Sequence, residues 1–320
     1  MISRVADHCF WLGRYLERTE SSSRSLSVTR ALSLDGELTP EQCWKPLVIV
    51  SGGEESFVSQ FGQEATGDGA RVQEYLAWDE QNPNSIIRTV AASRENARAI
   101  REVLTIEVWE AINELNLWFL SDQAGADYAE RRHDFYRHVR LQIQLCLGLM
   151  RSTMLKDTPL DFIWLGVILE RLGQTARMVD MHHHMLRSLP PNRAHSVVET
   201  ALFLALLRAC SGYEPFMKRY QGRVTAPAVA SFLLLESRFP RSLRYCTHTA
   251  YERLCDIRSP NDIGAPGAQS LEKLQALDEW LGGLRASDLE NTVEAHEHLT
   301  RAVNETAAVC DLIRHEFMGI

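Results

Sequence analysis

Apolar residues recur along most of this chain at steps of three, four and seven, the repeat of one face of an α-helix. Between Asn84 and Leu120 they fall at Val90, Ala97, Leu104, Val108, Ala111, Leu115 and Trp118, which predicts one long helix. Pro83 stands at its start, where a helix tolerates proline. The last stretch repeats the pattern at Leu289, Val293, Leu299, Val303, Cys310, Ile313 and Phe317, with Ser287 and Glu290 spaced as a capping box. The same spacing predicts helices over roughly 4–34, 128–156, 159–187 and 194–220. Gly, Pro and Asp clusters at 62–69, 188–192 and 259–267 mark loops. No segment alternates with period two. Leu47-Val48-Ile49-Val50 reads as buried helix ending at Gly52-Gly53. The expected fold class is therefore all-α.

Two octapeptides break the monotony. Residues 11–18 read Trp-Leu-Gly-Arg-Tyr-Leu-Glu-Arg and residues 164–171 read Trp-Leu-Gly-Val-Ile-Leu-Glu-Arg, agreeing at six of eight positions, with Arg24 and Arg177 matching further on. Pro83-Asn84-Ser85-Ile86 is echoed by Pro240-Arg241-Ser242-Leu243. The offsets, 153 and 157 residues, nearly coincide, which predicts an internal duplication: two helical bundles, 1–156 and 157–320, about an approximate twofold axis. Gly13 and Gly166 would sit mid-helix at a cost of roughly 1 kcal/mol each relative to alanine, which is tolerated where another helix approaches closely.

Composition narrows the picture. The 320 residues are 45% apolar and 24% charged, enough to bury a sizeable core. A net charge of −8 disfavours nucleic acid as a partner. The longest apolar run, around Ala201–Leu207, is too short to span a membrane. The opening residues lack the apolar core and cleavage site of a signal peptide. Seven scattered cysteines without a C-x-x-C suggest reduced thiols and a cytoplasmic setting.

The candidate chemistry is carried by charge near apolar faces. At about 100° per residue, Trp11, Arg14, Glu17, Arg18, Ser21 and Arg24 share one side of the first helix, and Arg14, Glu17 and Ser21 are spaced to touch. Trp164, Glu170, Gln174 and Arg177 form the corresponding stripe, with Val167 where the first copy has Arg14. Arg94, Arg98 and Arg101 fall at i, i+4 and i+7, a row beside the face of Ala97 and Leu104. Crowded guanidinium groups need an anion among them. Either a glutamate of a neighbouring helix, Glu17 or Glu170, fills that role in a buried network, or a carboxylate or phosphate ligand does; a solvated charged face is the third reading, disfavoured because the arginines border the core stripe. His182-His183-His184 are consecutive and diverge on a helix, which predicts a solvated or mixed face. The i,i+4 pairs Asp134/His138, Glu294/His298 and Asp311/His315 read as helix-surface pairing. Ser51-Gly52-Gly53-Glu54 lacks the Gly-Lys-Ser/Thr of a phosphate loop.

These residues resemble a known family. Residues 1–18, the run from Asn82 through Ser93-Arg94-Glu95-Asn96-Ala97-Arg98 to Trp109-Glu110, and Gly148 to Arg171 are similar to the bacterial alpha-E domain proteins along nearly the whole chain. The resemblance implies a helical protein encoded beside an ATP-grasp protein, and a part in ATP-dependent amide-bond formation on a small amino-acid-like or peptide-like anionic substrate. ATP would be supplied through that partner, with no cofactor bound directly. On that expectation Arg94, Arg98 and Arg101 hold the substrate carboxylate or acyl phosphate, Glu17 binds or deprotonates the amine, and Arg14 orients Glu17. Arg18, Glu95, Asn96, Glu170 and Arg171 complete the set of motif positions. The alternative is a non-catalytic scaffold that docks and stabilises the ATP-grasp partner. Val167 departs from the family pattern and puts a second, symmetry-related site in doubt.

Overall fold

A computed structural model describes residues 3–34, 38–187, 197–258, 264–289 and 292–319. Among them are fifteen α-helices and no strand. In chain order they are α1 (Ser3–Leu34), α2 (Pro40–Val50), α3 (Glu54–Phe61), α4 (Gly69–Ala77), α5 (Ile86–Ala99), α6 (Ile106–Phe119), α7 (Asp122–Glu130) and α8 (Arg132–Thr153). Then come α9 (Thr158–Arg187), α10 (Val197–Ala209), α11 (Tyr213–Tyr220), α12 (Ala226–Leu235), α13 (Leu243–Ile257), α14 (Ala268–Gly283) and α15 (Thr292–Ile313). No helix of the described residues is long and apolar enough to cross a membrane. All seven cysteines are free thiols.

The two longest helices, α1 and α9, lie against each other in the middle, and the remaining helices pack around them. α1 buries Cys9, Phe10, Leu12, Leu16 and Leu26, and α9 buries Ile163, Leu165, Val167, Leu169 and Leu172. Helices from 1–156 and from 157–320 share a single continuous apolar core.

Three expected helices are broken. The 84–120 helix is two: α5 stops at Ala99, and α6 restarts after Thr105, whose extended backbone makes it the N-cap. The apolar period runs through the break, because Ala97 and Val108 both face the core, so spacing alone conceals it. The 128–156 segment divides at Arg131, which leaves helical geometry between α7 and α8. The 194–220 segment divides at Ser211, whose positive φ of 55° turns the chain into Gly212 and α11; residues 194–196 lie outside the described residues. Leu47–Val50 is the end of a buried helix, turned out through Gly52 at φ 73°. Ser287 lies in a short 3-10 turn, Ala286–Leu289, while Glu290, Glu294 and the 188–192 loop fall outside the described side chains.

Matching serines start α5 and α13. Ser85 accepts from the backbone N–H of Arg88, and Ser242 accepts from that of Tyr245. They stand at the 157-residue offset of the second sequence echo.

Candidate functional site

Where α1 and α9 cross, each presents a glycine to the other. A Cβ on Gly13 would overlap the carbonyl oxygen of Ile163, and one on Gly166 would overlap that of Phe10. The contact is reciprocal, since residues 10 and 163 are themselves an offset pair. One turn beyond the glycines, the close approach brings two Glu-Arg dipeptides face to face. Arg171 donates through Nε and Nη2 to the two oxygens of Glu17, at 3.1 and 2.8 Å. Arg18 donates through Nε and Nη2 to those of Glu170, at 2.8 and 2.9 Å. Each glutamate is thus held in a bidentate fork by the arginine of the other helix.

A second arginine completes each carboxylate, and here the halves differ. Glu170 also accepts from Arg14 at 2.9 Å, and from Gln174 at 3.1 Å. Glu17 instead accepts from Arg241 at 2.6 Å, reaching in from the turn before α13. Arg241 extends its other Nη to Glu20 at 2.9 Å, and Arg24 pairs with the same carboxylate. Glu17, Glu20 and Glu170 are 0%, 0% and 2% exposed. Burial pushes Glu17 and Glu170 up, but the paired guanidiniums outweigh it and hold both carboxyls below the usual carboxylate range. A carboxylate so held is a poor proton acceptor at neutral pH.

Arg14 therefore orients Glu170 and not Glu17. The expected Ser21 contact with Glu17 is present, at 3.5 Å. The Arg94–Arg98–Arg101 row does not form a pocket with Glu17. Arg94 donates to Asn113 at 2.9 Å and, with Arg98, to Glu95, whose side chain is half in water. Arg98 is mostly exposed, and Arg101, beyond the end of α5, lies 4.9 Å from the ring centroid of Trp109. The row borders the core stripe in sequence, but Arg94 and Arg98 are served by Glu95 of their own helix, and Arg98 and Arg101 are exposed. Asn96 is hydrogen-bonded to His8 at 2.8 Å, joining α5 to α1. His182 is buried, with Nδ1 2.9 Å from the Met178 carbonyl, so this member of the triplet is not solvated; the side chains of His183 and His184 lie outside the described residues. Among the described residues no group of three or more His, Cys, Asp or Glu could hold a metal ion.

Open space lies elsewhere. A cleft of about 960 Å³ runs between α8, α9, α13 and α14. Arg171, its Nη1 directed at the Pro240 carbonyl, links its wall to the buried network. Trp164 forms another wall, with Arg151 5.4 Å from its ring centroid. Asp161, on the α9 side, pairs with Arg253 at 2.9 Å; burial pushes its carboxyl up despite that partner. His248 bridges Asp278 and Glu252 on the far rim. Arg151, Lys156 and Arg244 also line the cleft, and none of the three has a carboxylate partner among the described residues.

Several of these residues escaped the sequence reading. Arg241 was in view inside the second echo, but nothing in its spacing tied it to α1. Glu20 lies one turn from the Glu17 stripe and could have been found by its i,i+4 relation to Arg24. The cleft residues come from four helices and the turns before α9 and α13, and have no common signature.

A family model, described as a predicted alpha-helical domain with a conserved ER motif, matches residues 1–318. An uncharacterised protein of Mycobacterium bovis is 26% identical over 93% of this chain and 34% of its own length. Uncharacterised proteins from two Mycobacterium tuberculosis strains are 26% and 25% identical over the same shares. The chain thus spans about a third of the length of the curated relatives it matches. No solved structure matches it.

Proposed function

This chain belongs to the Alpha-E family, and on that footing we propose that it is a substrate-holding module in ATP-dependent amide-bond synthesis, working beside an ATP-grasp protein. In that reading the partner uses ATP to activate a carboxylate, an amine displaces phosphate, and this chain presents an anionic amino-acid-like or peptide-like substrate. The observation that carries it is the cleft: three cations without carboxylate partners among the described residues, Arg151, Lys156 and Arg244, stand around one space beside the Trp164 face. Unneutralised guanidiniums in a concave site suit a carboxylate, and the aromatic wall suits the body of a small molecule. The opposite rim, with Asp278 and Glu252, suits an ammonium group. The binding role expected of the Arg94 row passes to this cleft. The buried Glu-Arg network serves as the frame that fixes its walls.

A second reading, a docking scaffold without substrate contact, is favoured by the same network, in which Glu17 and Glu170 are each neutralised by two of the protein's own arginines. One experiment separates the two. The purified chain is combined with the ATP-grasp protein, ATP and candidate amino acids, and amide product is followed by mass spectrometry. Substrate holding predicts that Arg244→Ala, which keeps the melting temperature, lowers product formation at least tenfold with the complex intact. Unchanged turnover by Arg244→Ala removes the cleft from the mechanism and leaves the scaffold.

A further inference from the structure

The three unpaired cations of the cleft do not stand at one point. α9 runs along the cleft, contributing Leu160, Trp164, Ile168 and Arg171 to its wall. α13 runs alongside in the opposite direction, because Arg253 meets Asp161 near the start of α9 while Arg171 reaches Pro240, just before α13. Arg244, in the first turn of α13, therefore lies towards the Arg171 end. Lys156, in the turn that enters α9, lies at the Asp161 end, and Arg151, against Trp164, lies between Lys156 and the middle. From Leu160 to Arg171 the helix advances about 16 Å at roughly 1.5 Å per residue. A single carboxylate can answer only one end of such a row.

Two observations describe what lies between the ends. Asp278 and Glu252 hold His248 part-way along the cleft, so a continuous polyanion such as a triphosphate would meet carboxylates there. A ligand charged at intervals would not. Gly148 sits inside α8, where glycine costs helix stability. It lines the cleft, with no other part of the protein within 4 Å of where a Cβ would stand. No packing among the described residues requires a glycine there. A bare stretch of helix facing open space suits the close passage of another backbone.

We infer that the cleft holds an extended acidic peptide of about four or five residues, the number that spans the α9 wall at about 3.4 Å each; the inference rests on the reading of the cleft as the substrate site. The C-terminal carboxylate of the peptide lies at Arg244. An acidic side chain near its other end lies between Arg151 and Lys156, and its amino terminus lies by Glu252. Apolar side chains in the middle rest on Trp164 and Ile168, and the backbone passes over Gly148. The cleft volume of about 960 Å³ is far more than one amino acid fills.

The test is calorimetric titration of the full chain with the peptide Glu-Ala-Leu-Ala-Glu and with free glutamate. The peptide is expected to bind at one site about tenfold or more tightly than glutamate, and Gln-Ala-Leu-Ala-Gln amide about tenfold or more weakly than its acidic parent. Arg244→Ala and Lys156→Ala stand at opposite ends, and each is expected to weaken the peptide about fivefold or more. Gly148→Leu is expected to keep the melting temperature and to weaken the peptide about tenfold. Melting temperatures of all three variants separate lost binding from lost folding. Glutamate binding as tightly as the peptide, with Arg244→Ala alone abolishing it, would overturn the inference and leave the cleft as a site for a single amino acid. No binding of the peptide, binding unchanged in both Arg244→Ala and Lys156→Ala, or tighter binding of ATP than of the peptide would each overturn it as well. The ligation assay with Arg244→Ala decides separately whether the cleft takes part in synthesis, so the two readings fail on different results.

Discussion

Replacing Glu170 with glutamine tests whether the Glu-Arg network is the frame of this molecule. Glu170 accepts four hydrogen bonds, one from Arg14, two from Arg18 and one from Gln174, in a site 2% exposed. Glutamine keeps the shape but presents an NH2 where an oxygen stood, setting donor against donor. It also leaves three guanidiniums, Arg14, Arg18 and Arg177, around a neutral group. Removing one partner from a buried ion pair costs about 3–5 kcal/mol, a large share of the 5–15 kcal/mol that holds a typical domain together. Glu95→Gln is the control: Glu95 also pairs with two arginines, but its side chain is 51% exposed. That substitution is expected to cost less than about 1 kcal/mol. Urea unfolding followed by circular dichroism gives both numbers. The denaturant dependence must stay the same for the midpoints to be comparable. If Glu170→Gln costs no more than Glu95→Gln, the network contributes little and burial has been misread as importance.

Two further outcomes follow from the packing and from pH. Gly13→Ala gains about 1 kcal/mol of helix propensity. Its methyl, however, meets the immovable backbone of Ile163, and we expect a net loss of about 2 kcal/mol as the helices part and the bidentate pairs stretch. Gly148→Ala, on an exposed face of α8 with nothing within 4 Å, should instead be neutral or stabilising in the same thermal melt; equal behaviour of the two variants would refute the close-approach argument. Burial pulls His182 from 6.5 to about 4, outweighing its hydrogen bond to Met178. The folded state therefore binds fewer protons than the unfolded state between those values, so stability is full above pH 6.5 and falls as pH drops towards 4. The drop is about 3 kcal/mol in total. His182→Leu should flatten urea midpoints over that window, and an unchanged slope would remove His182 as the cause.

The sequence carried more of the fold than of the site. Helical class followed from spacing alone, because burial imposes the 3.6-residue period on every long helix. Breaks did not, since Ala97 and Val108 keep phase across a turn that interrupts the backbone. Glu17, Arg18, Glu170 and Arg171 stood out through the repeat, and the glycines beside them announced a close crossing. Their partners did not stand out. An i,i+3 spacing says that Arg14 can reach Glu17, but a guanidinium on a four-bond arm reaches across to Glu170 equally well, and only the position of α9 decides. The Arg94 row shows the opposite failure. Residues flanking a core stripe occupy the boundary of a helix, and long side chains there extend to water with their stems on the apolar surface.

The ion pairs between α1 and α9 join residues more than 150 positions apart. Glu17 has both of its cations, Arg171 and Arg241, in the second half of the chain. A nascent polypeptide therefore carries α1 for a time with a Glu17 carboxylate that cannot yet be desolvated. That helix has to wait, hydrated, while the more than 150 residues between Glu17 and Arg171 are made. Final docking is then a late, long-range event, slow in the manner of high contact-order assembly, and a chain stopped before Arg171 has no means of completing it.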